Sequence, residues 1–253
     1  MQLFDLLKDL LVVFCFLTKL LLWKYILVVS KLILYHGSNK IVSNPVYGEG
    51  KIYNDYGRGF YCTQNIELVK EWACPTLDDG FSNCYELETE GLSVLDLQSE
   101  QFCTLHWLAV LITNRRFDLD TPVMRQGANY LNKNFLPQIS DYDLIKGYRA
   151  DDSYFSFAQA FLSNQISYAQ LQSAMKLGKL GEQIVLKSKK AFDLIEFKNY
   201  EIAQGKKYYK LRLNRMEKAK FDYKKSLEES DISGLFIRDM ILGDIQNDDP
   251  RLR

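Results

Sequence analysis

Leu32-Ile-Leu-Tyr-His36-Gly37-Ser38, followed by Tyr56-Gly57-Arg58-Gly59-Phe60-Tyr61-Cys62-Thr63 and then by Trp72, is the stretch that decides how this chain folds. An apolar run ending in His-Gly reads as a strand that carries one hydrogen-bonding side chain and one bare backbone position to the mouth of a cleft, because glycine lets a ligand approach the main chain. Gly57-Arg58-Gly59 then gives a tight turn, Phe60-Tyr61 a second short strand and Asn65 to Ala73 a helix. Tyr61 and Trp72 lie eleven residues apart, so they can present two aromatic faces to one flat ring. Late in the chain, Leu180-Gly181-Glu182-Gln183-Ile184-Val185-Leu186 supplies a further strand, whose adjacent Glu and Gln point to opposite faces.

The surrounding composition is that of a globular enzyme. With 253 residues, 47% hydrophobic and 25% charged, the chain can bury a full core. Lys+Arg 32 against Asp+Glu 32 gives no net charge, so no global field selects polyanions and any nucleic-acid contact must come from a local patch. Cys15, Cys62, Cys74, Cys84 and Cys103 form no Cys-x-x-Cys pair. With only His36 and His106 beside them, they read as reduced thiols in a cytoplasmic protein, with no metal site.

The first thirty residues stand apart. Leu10 to Val29 is rich in Leu, Val and Phe, but Lys19 and Lys24 interrupt it. On an insertion scale the apolar residues contribute roughly −4 to −8 kcal/mol and the two lysines return about +5 to +7, so spanning is marginal. No small-x-small cleavage site follows the apolar run. Residues 1–30 therefore read as a weak anchor making membrane contact through residues 10–29, as a helix packed on the domain, or as an over-long start. Residues 31–253 read as one domain.

Within that domain, Cys84 to Glu88 and Leu92 to Asp96 are strand candidates. Gln98 to Asn114 is a helix whose apolar face belongs to the core, with His106 structural. Asp151-Asp152-Ser153 reads as the N-cap of a helix through Phe161. Lys206 to Lys225 carries nine Lys or Arg against Glu217 and Asp222. Tyr209, Leu213, Met216, Tyr223 and Leu227 recur at helical spacing there, so an amphipathic helix should lay that stripe on the domain and keep its charges in water. The cations are a solvated face or a tract that holds RNA or another acidic acceptor.

The order of these motifs resembles the ADP-ribosyltransferases of the diphtheria-toxin and poly(ADP-ribose) polymerase type, whose signature is His, Tyr and Glu on three strands. More of the chain is similar to an uncharacterised bacterial group of that superfamily. Its members carry Tyr-His-Gly-Ser, Gly-x-Gly-Phe-Tyr-x-Thr, Gly-Tyr-Arg-Ala-Asp-Asp (here Gly147 to Asp152), Gly-Glu-Gln-Ile-Val and a closing Phe236-Ile237-Arg238-Asp239. The resemblance implies an α+β fold: a split antiparallel β-sheet core with flanking helices and a C-terminal amphipathic helix. It implies NAD as substrate, with Glu182, His36 and Tyr61 as the signature residues. His36, Gly37, Ser38, Gly59, Tyr61, Trp72 and Arg149 would bind the dinucleotide. Glu182 would stabilise positive charge on the ribose, Tyr61 and Trp72 would stack on nicotinamide, and Arg149 could hold the pyrophosphate by bidentate contact. The implied activity is mono-ADP-ribosylation of an unidentified protein or nucleic-acid acceptor, as the toxin of a bacterial toxin-antitoxin or phage-defence system with a small antitoxin as partner. The alternatives are an NAD glycohydrolase or a catalytically silent module for NAD or ADP-ribose.

Overall fold

The computed structural model describes residues 31–150, 152–175, 181–228, 231 and 233–252. The expectations for residues 1–30, including Cys15 and the membrane contact, and for Asp151 lie outside them. The fold of the described residues is mixed α and β, with two sheets. In the first sheet β1 (Lys31–Ser38) pairs antiparallel with β3 (Gly80–Glu88), and β3 with β7 (Ile195–Ala203). The second has the order β2 (Phe60–Cys62), β6 (Glu182–Leu186), β5 (Leu144–Tyr148), β4 (Val94–Asp96). Its β2–β6 and β6–β5 pairs are antiparallel, and β5–β4 is parallel. Among the described residues a β-bridge joins the sheets: Tyr35 N–H donates to Thr63 O at 2.8 Å and Thr63 N–H to Tyr35 O at 3.0 Å.

The residues on β6 explain the layering. Ile184 and Leu186 face the first sheet and close a small core with Leu34, Cys62, Leu87 and Leu144. Val185 points the other way, into a larger core against the helices. These are α2 (Thr104–Asn114), α3 (Pro122–Phe135), α4 (Asp152–Leu162), α5 (Tyr168–Ala174) and α8 (Ile237–Leu242), which contribute among others Trp107, Leu131, Phe157, Leu171 and Met240. Period-two alternation thus gives one strand two buried faces.

Several local signals are met. α1 (Ile66–Ala73) begins where Asn65 caps it, its Oδ1 accepting from Leu68 N–H at 3.1 Å. The helix expected from Gln98 begins later, at Thr104. His106 at its third position accepts from Cys103 N–H at 3.0 Å and stands edge-on to Phe102 and Phe135, a structural role. Short α6 (Lys189–Asp193) starts from the Ser188 cap.

The long basic helix α7 (Gly205–Glu228) keeps one part of the expected stripe, Tyr223, which lies 4.1 Å from Phe157 between ring centroids, and corrects the rest. Leu213 and Leu227 are exposed, and the buried line runs through Tyr208 and Ala219, with Arg215 partly buried among them. The helix docks through ionic and aromatic groups on α1 and α4, not through a continuous apolar face. Among the described residues no helix is long and apolar enough to cross a membrane, and Cys62, Cys74, Cys84 and Cys103 are unpaired thiols.

Candidate functional site

A cleft of about 750 Å3 opens where β1, α1, β2 and the end of β6 meet, roofed by the segment 39–59. That volume lies in the range of about 300–1,000 Å3 typical of small-molecule sites. His36, Gly37, Ser38, Gly59, Tyr61, Trp72 and Arg149, expected to act together, all line it.

His36 lies two residues before the end of β1 and stacks on Phe60 with ring centroids 4.4 Å apart. Its Nδ1 lies 2.8 Å from Tyr61 O. A carbonyl only accepts, so Nδ1 carries the proton and the neutral ring keeps Nε2 as an acceptor. Burial pushes the imidazole pKa below its ordinary value, which holds it neutral at physiological pH. Tyr61 is anchored instead of free: its hydroxyl donates to Gly57 O at 2.5 Å and accepts from Tyr56 N–H at 3.0 Å. Burial raises its pKa far above the usual phenol range, so it remains a neutral phenol.

The glycines do different work from that expected. A Cβ on Gly37 would lie 2.5 Å from Val69 O and 2.9 Å from Ala73 N, so this glycine lets α1 lie against β1 and brings Trp72 to the cleft. Gly59 would drive a Cβ to 2.6 Å from Val185 Cγ1 and 2.8 Å from Leu186 O. The tight turn holds, with Gly57 at φ +72°, but close packing on β6 fixes Gly59. Lys187, just past β6, donates to Tyr56 O at 2.6 Å and Arg58 O at 2.5 Å and pins the turn.

Trp72 carries the Arg149 guanidinium 4.5 Å from its ring. Its indole Nε1–H is buried and has no hydrogen-bond partner among the described residues. Buried donors are nearly always satisfied, so an unpaired one on a cleft wall suits an acceptor on a ligand.

Glu182 does not join this group. Its strand parity sets it with Ile184 and Leu186, and its Oε2 pairs with Lys146 Nζ at 3.2 Å, in a chain that continues to Asp96. The cleft-facing neighbour is Gln183, opposite Gly147 and on the same face as Tyr61 and Val185. Gln183 is 3% exposed, and its Nε2 donates to Asp55 Oδ2 at 2.9 Å. That donation leaves Oε1 as the amide's acceptor.

Asp55, which belongs to none of the sequence motifs, is the hub behind the cleft. It is 5% exposed, takes Arg115 Nη1 at 3.0 Å and Ala150 N–H at 2.9 Å, and so ties the roof segment to the ends of α2, β5 and β6. Burial raises its pKa, against the pull of those donors and of Arg115. The one signal in the sequence is a charged residue immediately before Tyr-Gly-Arg-Gly. The roof is fixed elsewhere by buried Asn83, which accepts from Val42 N–H at 2.9 Å and donates to His36 O at 3.2 Å. Among the described residues no group of three or more His, Cys, Asp or Glu could hold a metal.

Compared with known families, residues 32–197 match the family described as Protein of unknown function (DUF3990). No curated protein and no solved structure matches.

Proposed function

We propose that this chain, which belongs to the DUF3990 family, binds NAD in the cleft and transfers its ADP-ribose to an acceptor. The observation that carries this reading is that His36, Tyr61, Trp72, Arg149 and Gln183, drawn from separate parts of the sequence, line one cleft. The division into a three-stranded and a four-stranded sheet, with the His strand in one and the Tyr and Glu-Gln strands in the other, suits the split-sheet core of the ADP-ribosyltransferases.

The chemistry of the cleft lining suits NAD. The unpaired Trp72 Nε1–H and the Nε2 acceptor of neutral His36 suit a ligand with both acceptors and ribose hydroxyls. Trp72 stacks on nicotinamide, and Arg149, lying over that ring, is within reach of the pyrophosphate. Cleavage of the bond between nicotinamide and ribose sends the bonding electrons out with neutral nicotinamide and builds positive charge on the sugar, as in glycoside hydrolysis. The acceptor then forms the new bond and gives up a proton.

The group this reading sets nearest that charge is Gln183 Oε1. Asp55 accepts from the amide's other end and makes Oε1 more negative, because hydrogen bonds in a chain polarise one another. Catalysis rests on positioning and fixed electrostatics. The exposed cations of α7, including Lys210, Lys218 and Lys220, suit an acidic acceptor.

A second reading is favoured by one observation: the cleft presents an amide where the resembling enzymes use a carboxylate. It is a module that binds NAD or ADP-ribose without turnover. Incubation with NAD labelled separately in nicotinamide and adenylate distinguishes the readings. Label on a macromolecule supports transfer, free ADP-ribose supports hydrolysis, and saturable binding without nicotinamide release supports the silent module.

A further inference from the structure

Helix α1 is only eight residues long, well short of the roughly 12–15 that an isolated helix needs to persist in water. Its orientation is therefore set by what grips it. On one side the absence of a Cβ at Gly37 lets it rest on β1. On the other, the ion pairs to it among the described residues come from its own turn, from β7 and from α7. Lys70 Nζ reaches Glu67 Oε1 and Glu201 Oε2, each at 2.9 Å. Tyr208 donates to Glu67 Oε2 at 2.9 Å.

The strongest grip is Arg215 on Glu71. Nε meets Oε2 at 2.9 Å and Nη2 meets Oε1 at 2.5 Å, a two-pronged pair on a carboxylate that is 5% exposed. Glu71 immediately precedes Trp72, and neither Glu71 nor Arg215 lines the cleft.

We infer that Arg215 is a positioning residue for Trp72, acting through Glu71, which lies 144 residues before it in sequence, so that the C-terminal basic helix sets the stacking wall of the cleft. The inference rests on the NAD reading for the identity of the ligand. Removing Arg215 alone leaves a carboxylate buried without its counter-charge, a far worse state than removing both partners. The short helix relieves it by turning Glu71 toward water. Trp72, about 100° further round the same helix, turns with it and leaves the cleft wall.

Three variants test this. Arg215→Met should weaken NAD binding about tenfold by calorimetry. If turnover is present, KM should rise about tenfold with kcat held within about twofold, since stacking is lost equally from ground and transition states. Hydrogen exchange of the amides of residues 66–73 should quicken. Arg215→Lys, with one prong instead of two, should fall between. The double variant Glu71→Leu/Arg215→Met, which removes both charges, should recover NAD affinity and α1 protection to within about threefold of the unaltered chain. The inference is overturned if Arg215→Met leaves the exchange of 66–73 unchanged, or if the double variant is no better than the single. If the unaltered chain binds no NAD, the NAD reading fails, and the exchange experiment alone then upholds or overturns the strut.

Discussion

Glu182 and Gln183 are adjacent, yet one side chain joins Lys146 and Asp96 while the other joins Asp55 and the cleft. In the proposed function the ribose contact belongs to Gln183. Gln183→Leu keeps the volume but removes the acceptor and strands Asp55, so it should weaken NAD binding at least tenfold. Glu182→Gln breaks a pair that is about 29% exposed on the Glu side, where a surface ion pair contributes about 0–1 kcal/mol. It should change affinity less than about threefold. Calorimetric titration of both variants decides the matter, and the reverse ranking would mean that the strand presents its other face to the ligand. The presence of this strand and its Glu-Gln pair was legible in the sequence. Which of the two faces the cleft was not, because alternation fixes only that they differ, and the pairing with β5 and β2 sets the sign.

Among the elements, the Gly-x-Gly turn shows how a motif can be read correctly for an incomplete reason. Gly59 is required by the approach of β6, so Gly59→Ala forces the strand or the turn to move. Such overpacking costs about 1–3 kcal/mol and should lower the urea midpoint of unfolding while NAD still protects the remaining folded protein. Unchanged stability would show that the turn accommodates a methyl group. The strand β1, the turn, α1 and α7 were all foreseen because each carries strong local chemistry: a β-rich apolar run, paired glycines, an Asn cap, a dense run of helix formers. β7 escaped because its period is broken. Tyr85 pairs with Phe197 and Cys84 with Asn199, so Lys198 is bulged out and the apolar positions shift from Ile195 and Phe197 to Tyr200 and Ile202. Only part of the docked stripe of α7, Tyr223, follows the apolar spacing; the rest departs from it because an Arg bound to a buried Glu serves as an interior residue, which no count of apolar positions reveals.

At the scale of the whole molecule, the cleft depends on groups kept neutral or paired by burial, and this gives it a pH signature. His36 and His106 both have pKa values lowered below 6.5 by burial. A histidine whose folded pKa lies below its unfolded value favours the unfolded chain as pH falls, because the unfolded state takes up the proton first. Stability should therefore be lost on acidification from 6.5 downward and not on moving from 7 to 8. NAD affinity should hold through 6.5 and fall only at lower pH, where the folded-state imidazole itself takes up the proton and its Nε2 turns from acceptor to donor. Affinity that instead falls between about pH 7 and 8 would contradict the neutral-imidazole assignment.

The clustering of His36, Tyr61 and Trp72 was readable from order and spacing. The Asp55 hub was not, because it joins residues 60, 95 and 128 positions apart in the chain.

The central claim is that this cleft holds NAD with its nicotinamide against Trp72, and calorimetric titration of NAD into the unaltered chain and into Trp72→Ala tests it most directly. Stacking on one aromatic face contributes roughly 1–3 kcal/mol, so the account predicts saturable binding by the unaltered chain and an affinity about ten- to a hundredfold weaker in Trp72→Ala, with the variant still folded. No binding by the unaltered chain, or equal affinity in the two proteins, would contradict it.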